Sequence, residues 1–335
     1  MPTQKAIPIA LCDLANGQEG DFFALMTLKE ELKTREGKPY FKVGFRDSRR
    51  SVSFPVWSDS AWGEECRQSW TPGAYYKLRA QYRETSFGPQ LEIRRIREVV
   101  EADSADGFEP TMFLPHTKFN TTELFNELRQ IAAEKVVDPA LSSLVLHILD
   151  TYREPLLTLP AATHNHHHFV GGYLEHVLSV TRNCVLLCEK YGHDYPDLKP
   201  PLNVSVAVAG AILHDIGKLR EIEWRPQGAA YTPAGTLIGH ILQGRDIVRE
   251  TAVGRNIDSE ALLRLEHIIV SHQRLPEWGS PKPPMFPEAL IVHHSDDLDA
   301  KFAMMYAALG DDQAGGAFTS KQNPLYQQIY RGGGE

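Results

Sequence analysis

The sequence predicts a multidomain chain of α and β structure: an N-terminal five-stranded β-barrel followed by an all-α helical bundle. Two observations carry this expectation. Apolar residues alternate with period two across much of residues 21–97 and recur at helical spacing from Asn120 onward. Charge divides the same way: residues 21–100 hold 15 Lys and Arg against 11 Asp and Glu, whereas the remainder holds 20 against 32. A basic first third in a chain of net charge −8 suggests that this third meets a polyanion, although a solvated β-surface has the same composition.

Size and composition bound the class. A length of 335 residues suggests about two domains. With 42% hydrophobic and 23% charged residues, wholesale disorder and collagen-like structure are excluded. No apolar run approaches the roughly 18 residues of a membrane span, so no membrane partner is expected. The N-terminal MPTQKAIPIALCDL has one Lys and an apolar patch broken by Asp13, which does not read as a signal peptide. Cys12, Cys66, Cys184 and Cys188 lack CxxC spacing and suggest a reducing, cytoplasmic setting.

In chain order, Asp21–Leu28, Tyr40–Arg46, Ser51–Trp57, Ala74–Arg83 and Gln90–Arg97 read as strands. Turn signals separate them at Glu36–Pro39, Asp47–Arg50 and Ser86–Pro89. Ser60–Trp70 is compatible with a helix. Five strands with a helix after the third match the order of an OB-fold, a small Greek-key barrel. Phe41, Val43 and Phe45 share one face of the second strand, leaving Lys42 and Arg46 on the other. Tyr76, Leu78, Ala80 and Tyr82 face inward on the fourth, leaving Lys77, Arg79 and Arg83 outside. Such a basic face suits the tracking of a single-stranded backbone. The expected domains are a barrel over 1–100, an acidic linker over 101–120, a helical domain over 121–320 and a tail over 321–335, mobile at its last residues. Helices are expected from Thr121 or Thr122 as cap, then over Leu141–Leu157, Leu174–Tyr191, Asn203–Leu219, Ser259–His272 and Pro287–Leu309.

The chemistry concentrates in the helical part. His214-Asp215-Ile216-Gly217-Lys218 closes the apolar stretch that starts near Asn203. A His-Asp pair is costly to bury unless compensated, and a divalent metal compensates both. Gly217 is expected to leave room for a ligand. Lys218, three residues from Asp215, lies on nearly the same helical face and within reach of a phosphate. An isolated His-Asp dipeptide is usually a surface pair. Here His176, His240, His272 and Asp296 each fall in a separate, mostly apolar segment, so several helices can converge on one pocket. Six mixed imidazole and carboxylate ligands exceed one tetrahedral ion and suit two octahedral ions sharing a carboxylate.

The order His176, His214-Asp215, His240, His272, Asp296 resembles the HD-domain metal-dependent phosphohydrolases. With the barrel before it, and with His166–His176 as HHxxxGGxxEH, HDIGK at His214–Lys218, GHI at Gly239–Ile241, EWGSPKPP at Glu277–Pro284 and DxxDAK at Asp296–Lys301, nearly the whole chain resembles the YhaM-type 3′→5′ exoribonucleases. Gly316-Ala317-Phe318-Thr319 also resembles that family's C-terminal segment. The resemblance implies hydrolysis of phosphodiester bonds in single-stranded RNA, with single-stranded DNA as a further candidate. It implies two divalent transition metals, most often manganese. His176, His214, Asp215 and Asp296 would hold the first, and His240 and His272, with Asp215 bridging, the second. Asp215 and Lys218 would be catalytic, and His166 and His167 would contact phosphate or the terminal ribose. Many relatives have a second His after the one matching His272, where this chain has Gln273. Asp299 is the rival of Asp296 for the carboxylate position. His267 is expected in the core or behind the ligands, His293 and His294 at most behind the ligands, Cys184 and Cys188 in the core, and Trp278 at the groove or in a packed loop. The alternatives are a phosphohydrolase of small or cyclic nucleotides and an inactive RNA-binding adaptor. The sequence fixes no oligomeric state.

Overall fold

The computed structural model describes residues 8–34, 36–86, 88–163, 167–225, 228–312 and 316–332. The chain divides into two compact units, Met1–Pro115 with Trp224–Gly228, and His116–Glu223 with Ala229–Glu335.

In the first unit, β1 (Glu19–Lys33), β2 (Pro39–Arg46), β3 (Ser51–Trp57), β4 (Tyr75–Thr85) and β5 (Gly88–Glu98) form one antiparallel sheet, with α1 (Gly63–Ser69) between β3 and β4. The order across the sheet is β3-β2-β1-β4-β5. β1 runs past the expected Leu28 because it serves two partners. Its first half pairs with β4, as in Phe22–Leu78, and its second half with β2, as in Lys29–Val43. A register shift between Met26 and Leu28 marks the change of partner and bends the strand. The alternation reads correctly: Phe41, Val43, Phe45, Tyr76, Leu78, Ala80 and Tyr82 are all buried. Phe45 meets Trp70 and Tyr76 edge-on, with ring centroids 6.0 and 5.9 Å apart. The closed barrel expected from the strand order is not observed. Among the described residues no ladder joins β3 to β5, and Pro55 on the β3 edge has no N–H to donate.

The expected linker is largely folded. Glu101–Asp106 and Pro110–Phe113 form short 3₁₀ turns. Buried Asp103 receives Arg97 at 2.6 and 2.7 Å, Lys77 at 3.2 Å and the Val100 N–H at 2.9 Å. Phe113 packs with Phe23 and Leu25, and Phe108 lies against Phe23 and Tyr75. The segment shows no periodicity of its own, and one of its cationic partners, Lys77, lies 26 and 29 residues away from Asp103 and Asp106 in sequence.

The second unit contains α2 (Thr121–Lys135), α3 (Pro139–Thr151), α4 (Arg153–Thr158), α5 (Gly172–Asp194), α6 (Val204–Leu213), α7 (Lys218–Glu221), α8 (Pro233–Ile238), α9 (His240–Ala252), α10 (Ser259–Ser271) and α11 (Pro287–Asp311). Between α7 and α8 the chain makes a two-stranded hairpin, β6 (Ile222–Arg225) and β7 (Gly228–Tyr231), so the expectation of an all-helical second half is corrected. Asn120, not Thr121 or Thr122, caps α2 by accepting from the N–H groups of Thr122 and Glu123. The expected helix Leu141–Leu157 is two helices broken at Tyr152, because the Pro155 ring cannot follow four residues of unbroken helix.

The central element is α6, buried from Ser205 to Leu213. Its uniform burial explains why it is apolar on all sides. α5, α10 and α11 pack around it, and Gly210 lets Ile268 of α10 approach the helix backbone. Glu288 of α11 is buried where it accepts the Asn203 N–H at 2.6 Å and Arg264 at 2.5 Å, tying the start of α6 to α10 and α11. The tail is also partly ordered: the Thr319 N–H donates to the Ile329 carbonyl, the Ile329 N–H donates to the Thr319 hydroxyl, and Arg331 pairs with Asp312 at 2.8 Å. Its last residues, 333–335, lie outside the described residues.

Candidate metal centre

Five segments of the second unit each deliver part of one cluster. His176 lies in the second turn of α5, and His214 and Asp215 follow α6 directly. His240 is the first residue of α9, His272 follows α10, and Asp296 lies within α11. His176, His214, Asp215, His272 and Asp296 are all buried, which an uncompensated set of such groups would not tolerate.

The Asp215 carboxylate stands between two imidazole pairs. Its Oδ2 lies 3.6 Å from His176 Nε2 and 3.5 Å from His214 Nε2. Its Oδ1 lies 3.4 Å from His240 Nε2 and 3.5 Å from His272 Nε2. Asp296 Oδ1 joins the first pair, 3.2 Å from His176 Nε2 and 3.8 Å from His214 Nε2. The opposite ring nitrogens are already committed. His214 Nδ1 donates to the Ala211 carbonyl and His272 Nδ1 to the Ile269 carbonyl, both at 2.7 Å. His240 Nδ1 is 2.9 Å from Glu221 Oε1. These bonds place the protons on Nδ1 and turn the Nε2 lone pairs inward. His214 Nε2, His240 Nε2, His272 Nε2 and Asp215 Oδ1 are buried without hydrogen-bond partners. Buried acceptors converging with no donor are what a cation would satisfy, and His176, His214 and Asp215 on one side and Asp215, His240 and His272 on the other can each hold a metal ion.

Electrostatics agree. Burial alone would push the Asp215 carboxyl up, but the Lys218 ammonium and the surrounding imidazoles hold it well below the usual range. Asp296 is likewise held down, against burial, by His176 and His214. Burial opposes the charge on His176, yet Asp296 and Asp299 raise it to about 9. Burial dominates at His214, lowering it to about 4. Tyr173 places a buried hydroxyl without a hydrogen-bond partner nearby, pushed well up by burial and by the Asp215 charge.

Lys218 Nζ sits 2.5 Å from Asp215 Oδ2, inside the cluster. The expectation that Gly217 leaves room for a ligand is corrected: a Cβ there would overlap the His240 carbonyl oxygen and the Gly244 nitrogen, so the space is filled by backbone. The glycine lets α9 begin directly against the turn, and so brings His240 to Asp215.

Asp299, the rival carboxylate, lies behind His176: its Oδ2 is 2.7 Å from His176 Nδ1, and Ser179 Oγ also donates to it. His167, in a left-handed conformation with φ of 46°, brings its Nε2 within 3.4 Å of Asp299. His166 lies outside the described residues. His293 Nδ1 donates to the His272 carbonyl at 2.7 Å, His267 packs on Phe286, and Cys184 and Cys188 are buried free thiols. The residue that sequence reasoning missed is Glu221, which carries no motif of its own.

Three of the four basic residues expected on the first unit's outer face have partners within that unit. Lys77 is engaged with Asp103 and with Asp106 at 2.6 Å, and Arg46 donates to the Phe113 carbonyl at 2.7 Å. Arg79 pairs with Glu19 at 2.8 Å and faces Asp21 at 3.7 Å. These cations are balanced by acidic side chains and carbonyls that pattern reading could not place. Lys42 is exposed.

A buried cluster of this order on a helical scaffold can hold metal ions, and a family model described as the HD domain matches residues 173–301. The chain is also 32% identical over 295 residues to the 3′-5′ exoribonuclease YhaM of Bacillus licheniformis, covering 88% of each chain. With that identity and coverage, the chain belongs to the YhaM exoribonuclease family.

Proposed function

We propose that the protein is a metal-dependent 3′→5′ exoribonuclease that hydrolyses single-stranded RNA. The observation that carries this is the Asp215 carboxylate flanked by two imidazole pairs whose Nε2 atoms are inward and unbonded in the case of His214, His240 and His272. His176, His214, Asp215 and Asp296 would hold one divalent ion, and His240 and His272, with Asp215 bridging, a second, with manganese the first to test. Bound there, such ions supply a Lewis acid for a phosphate oxygen and lower the pKa of a water molecule. Lys218, held by Asp215, would neutralise a non-bridging oxygen of the scissile phosphate. Glu221 and Asp299 fix the orientation of His240 and His176.

The first unit reads as an OB-type domain that binds the strand. Support comes from the five-strand order, the helix between β3 and β4, and β1 shared between β2 and β4. Of its cations Lys42 is the best placed for phosphate contact, with Arg79 second, while Lys77 and Arg46 serve the fold. His167 would contact the terminal nucleotide, together with His166. The four free cysteines suit a cytoplasmic protein.

The test uses a 5′-labelled single-stranded RNA with manganese. The native protein should give a descending ladder and Asp215→Ala none. Intact RNA with hydrolysis of small nucleotides would move the reading to a small-nucleotide phosphohydrolase; single-stranded DNA run in parallel sets the sugar preference.

A further inference from the structure

A pocket of about 480 Å³ opens beside the metal centre within the second unit. Its inner wall is Asp299 and His167, the pair behind His176. Its outer wall follows α11, where Asp299, Phe302, Ala303 and Tyr306 recur at three- and four-residue spacing and share one face. Phe302 is 69% and Tyr306 70% exposed, so two aromatic faces stand in solvent without being needed by the core. Lys118 lines the opposite side, its Nζ 6.0 Å from the Tyr306 ring centroid. From Asp299 to Tyr306 the helix advances about 10 Å.

We propose that this pocket is the subsite for the 3′-terminal nucleotides of the strand: Phe302 and Tyr306 stack on bases, and Lys118 pairs with a backbone phosphate. The inference rests on the exoribonuclease reading above. Three features select a nucleotide over another occupant. The pocket is continuous with the groups that orient His176, so its contents adjoin the reacting bond. Exposed aromatic faces beside a cation form the combination that binds bases without reading their sequence. The volume falls in the range of small-ligand sites. The inner wall is also built rigidly: a Cβ on Gly172 would overlap the His167 carbonyl oxygen, so the glycine lets α5 start against the His167 backbone. An apolar strip on a helix also suits contact with a second copy of the chain, and the test separates the two.

The probe is single-stranded RNA carrying 2-aminopurine as its 3′-terminal base, added to the chelated full-length protein so that it is not cleaved. The native protein should quench the probe. Phe302→Ala and Tyr306→Ala should each weaken binding by between about fivefold and about a hundredfold and lose the quench. Tyr306→Trp should restore both. Retained affinity and quench in both alanine variants would overturn the subsite. So would a native assembly, seen by sedimentation, that dissociates in these variants while the quench persists, since the strip would then be a subunit contact. Failure of the native protein to cleave RNA with manganese would overturn the activity reading separately, because the quench is measured without catalysis.

Discussion

Glu221 accepts both the backbone N–H and the Nδ1–H of His240, each at 2.9 Å, and so decides which nitrogen of that ring faces Asp215. Removing it in Glu221→Ala is expected to weaken metal binding by roughly 10- to 100-fold, measured by calorimetric titration. Undiminished affinity would exclude His240 from the ligand set. His176 supplies a second residue-level prediction. Without metal its imidazolium is held by Asp296 and Asp299, with its pKa raised to about 9, whereas a ligating imidazole must be neutral. Below about pH 9, metal uptake should therefore release a proton, and apparent affinity should fall as pH falls. Titration in buffers of different ionisation enthalpy reads the protons directly; zero release at pH 7 would contradict the geometry. At this scale the residues that converge were legible, because His214-Asp215 is a local string and the others stand in apolar segments. Glu221 was not, since a glutamate at the end of a short helix looks solvated until α9 is placed beside it. Asp296 and Asp299 were indistinguishable by spacing, because only the ring position of His176 decides which carboxylate meets Nε2 and which meets Nδ1.

Elements were read well where one period ran long enough. α5, α10 and α11 follow the expected ranges closely, and β3 matches at both ends. β6 and β7 were invisible because four residues each cannot display a period. The break between α3 and α4 was marked in the sequence by Pro155, and the run of leucines hid it. Element junctions also hold the sharpest stability prediction. Gly217→Ala places a methyl where the His240 carbonyl and Gly244 nitrogen already stand, and backbone cannot yield as a flexible side chain can. A loss of about 2–3 kcal/mol in urea unfolding is expected, with weaker metal binding from the displaced His240. A near-neutral variant would show that α9 can slide. By contrast, Asn120→Ala removes one cap on α2 and should cost about 1 kcal/mol without touching the cluster.

Across the whole chain, charge counted along the sequence did not locate the partners of the cations. The basic first third is real in composition, but the acidic segment 101–106 folds onto it and engages Lys77 and Arg97. Counting charges along the chain cannot reveal this, since partners separated by up to 29 residues in sequence cancel in space. The consequence is testable with acid. Arg97, working against burial, holds the Asp103 carboxyl well below the usual carboxylate range. Its stabilising contribution is complete above the unfolded pKa of about 3.9 and is lost as pH falls through the depressed folded value. Asp103→Asn should lower stability by about 1–3 kcal/mol at pH 7, with the gap to the native protein closing in strong acid. A gap that stays constant with pH would mean that the charge of Asp103 contributes nothing.

The cluster draws on α5, the turn after α6, α9, α10 and α11, and no two consecutive helices contain it. Its assembly is therefore an event in time as well as in space. While the chain is being synthesised, His176, His214 and Asp215 emerge long before Asp296, and until α11 docks the side of His176 and His214 lacks its second carboxylate. A chain that ends before α11 thus carries the set without one of its two carboxylates.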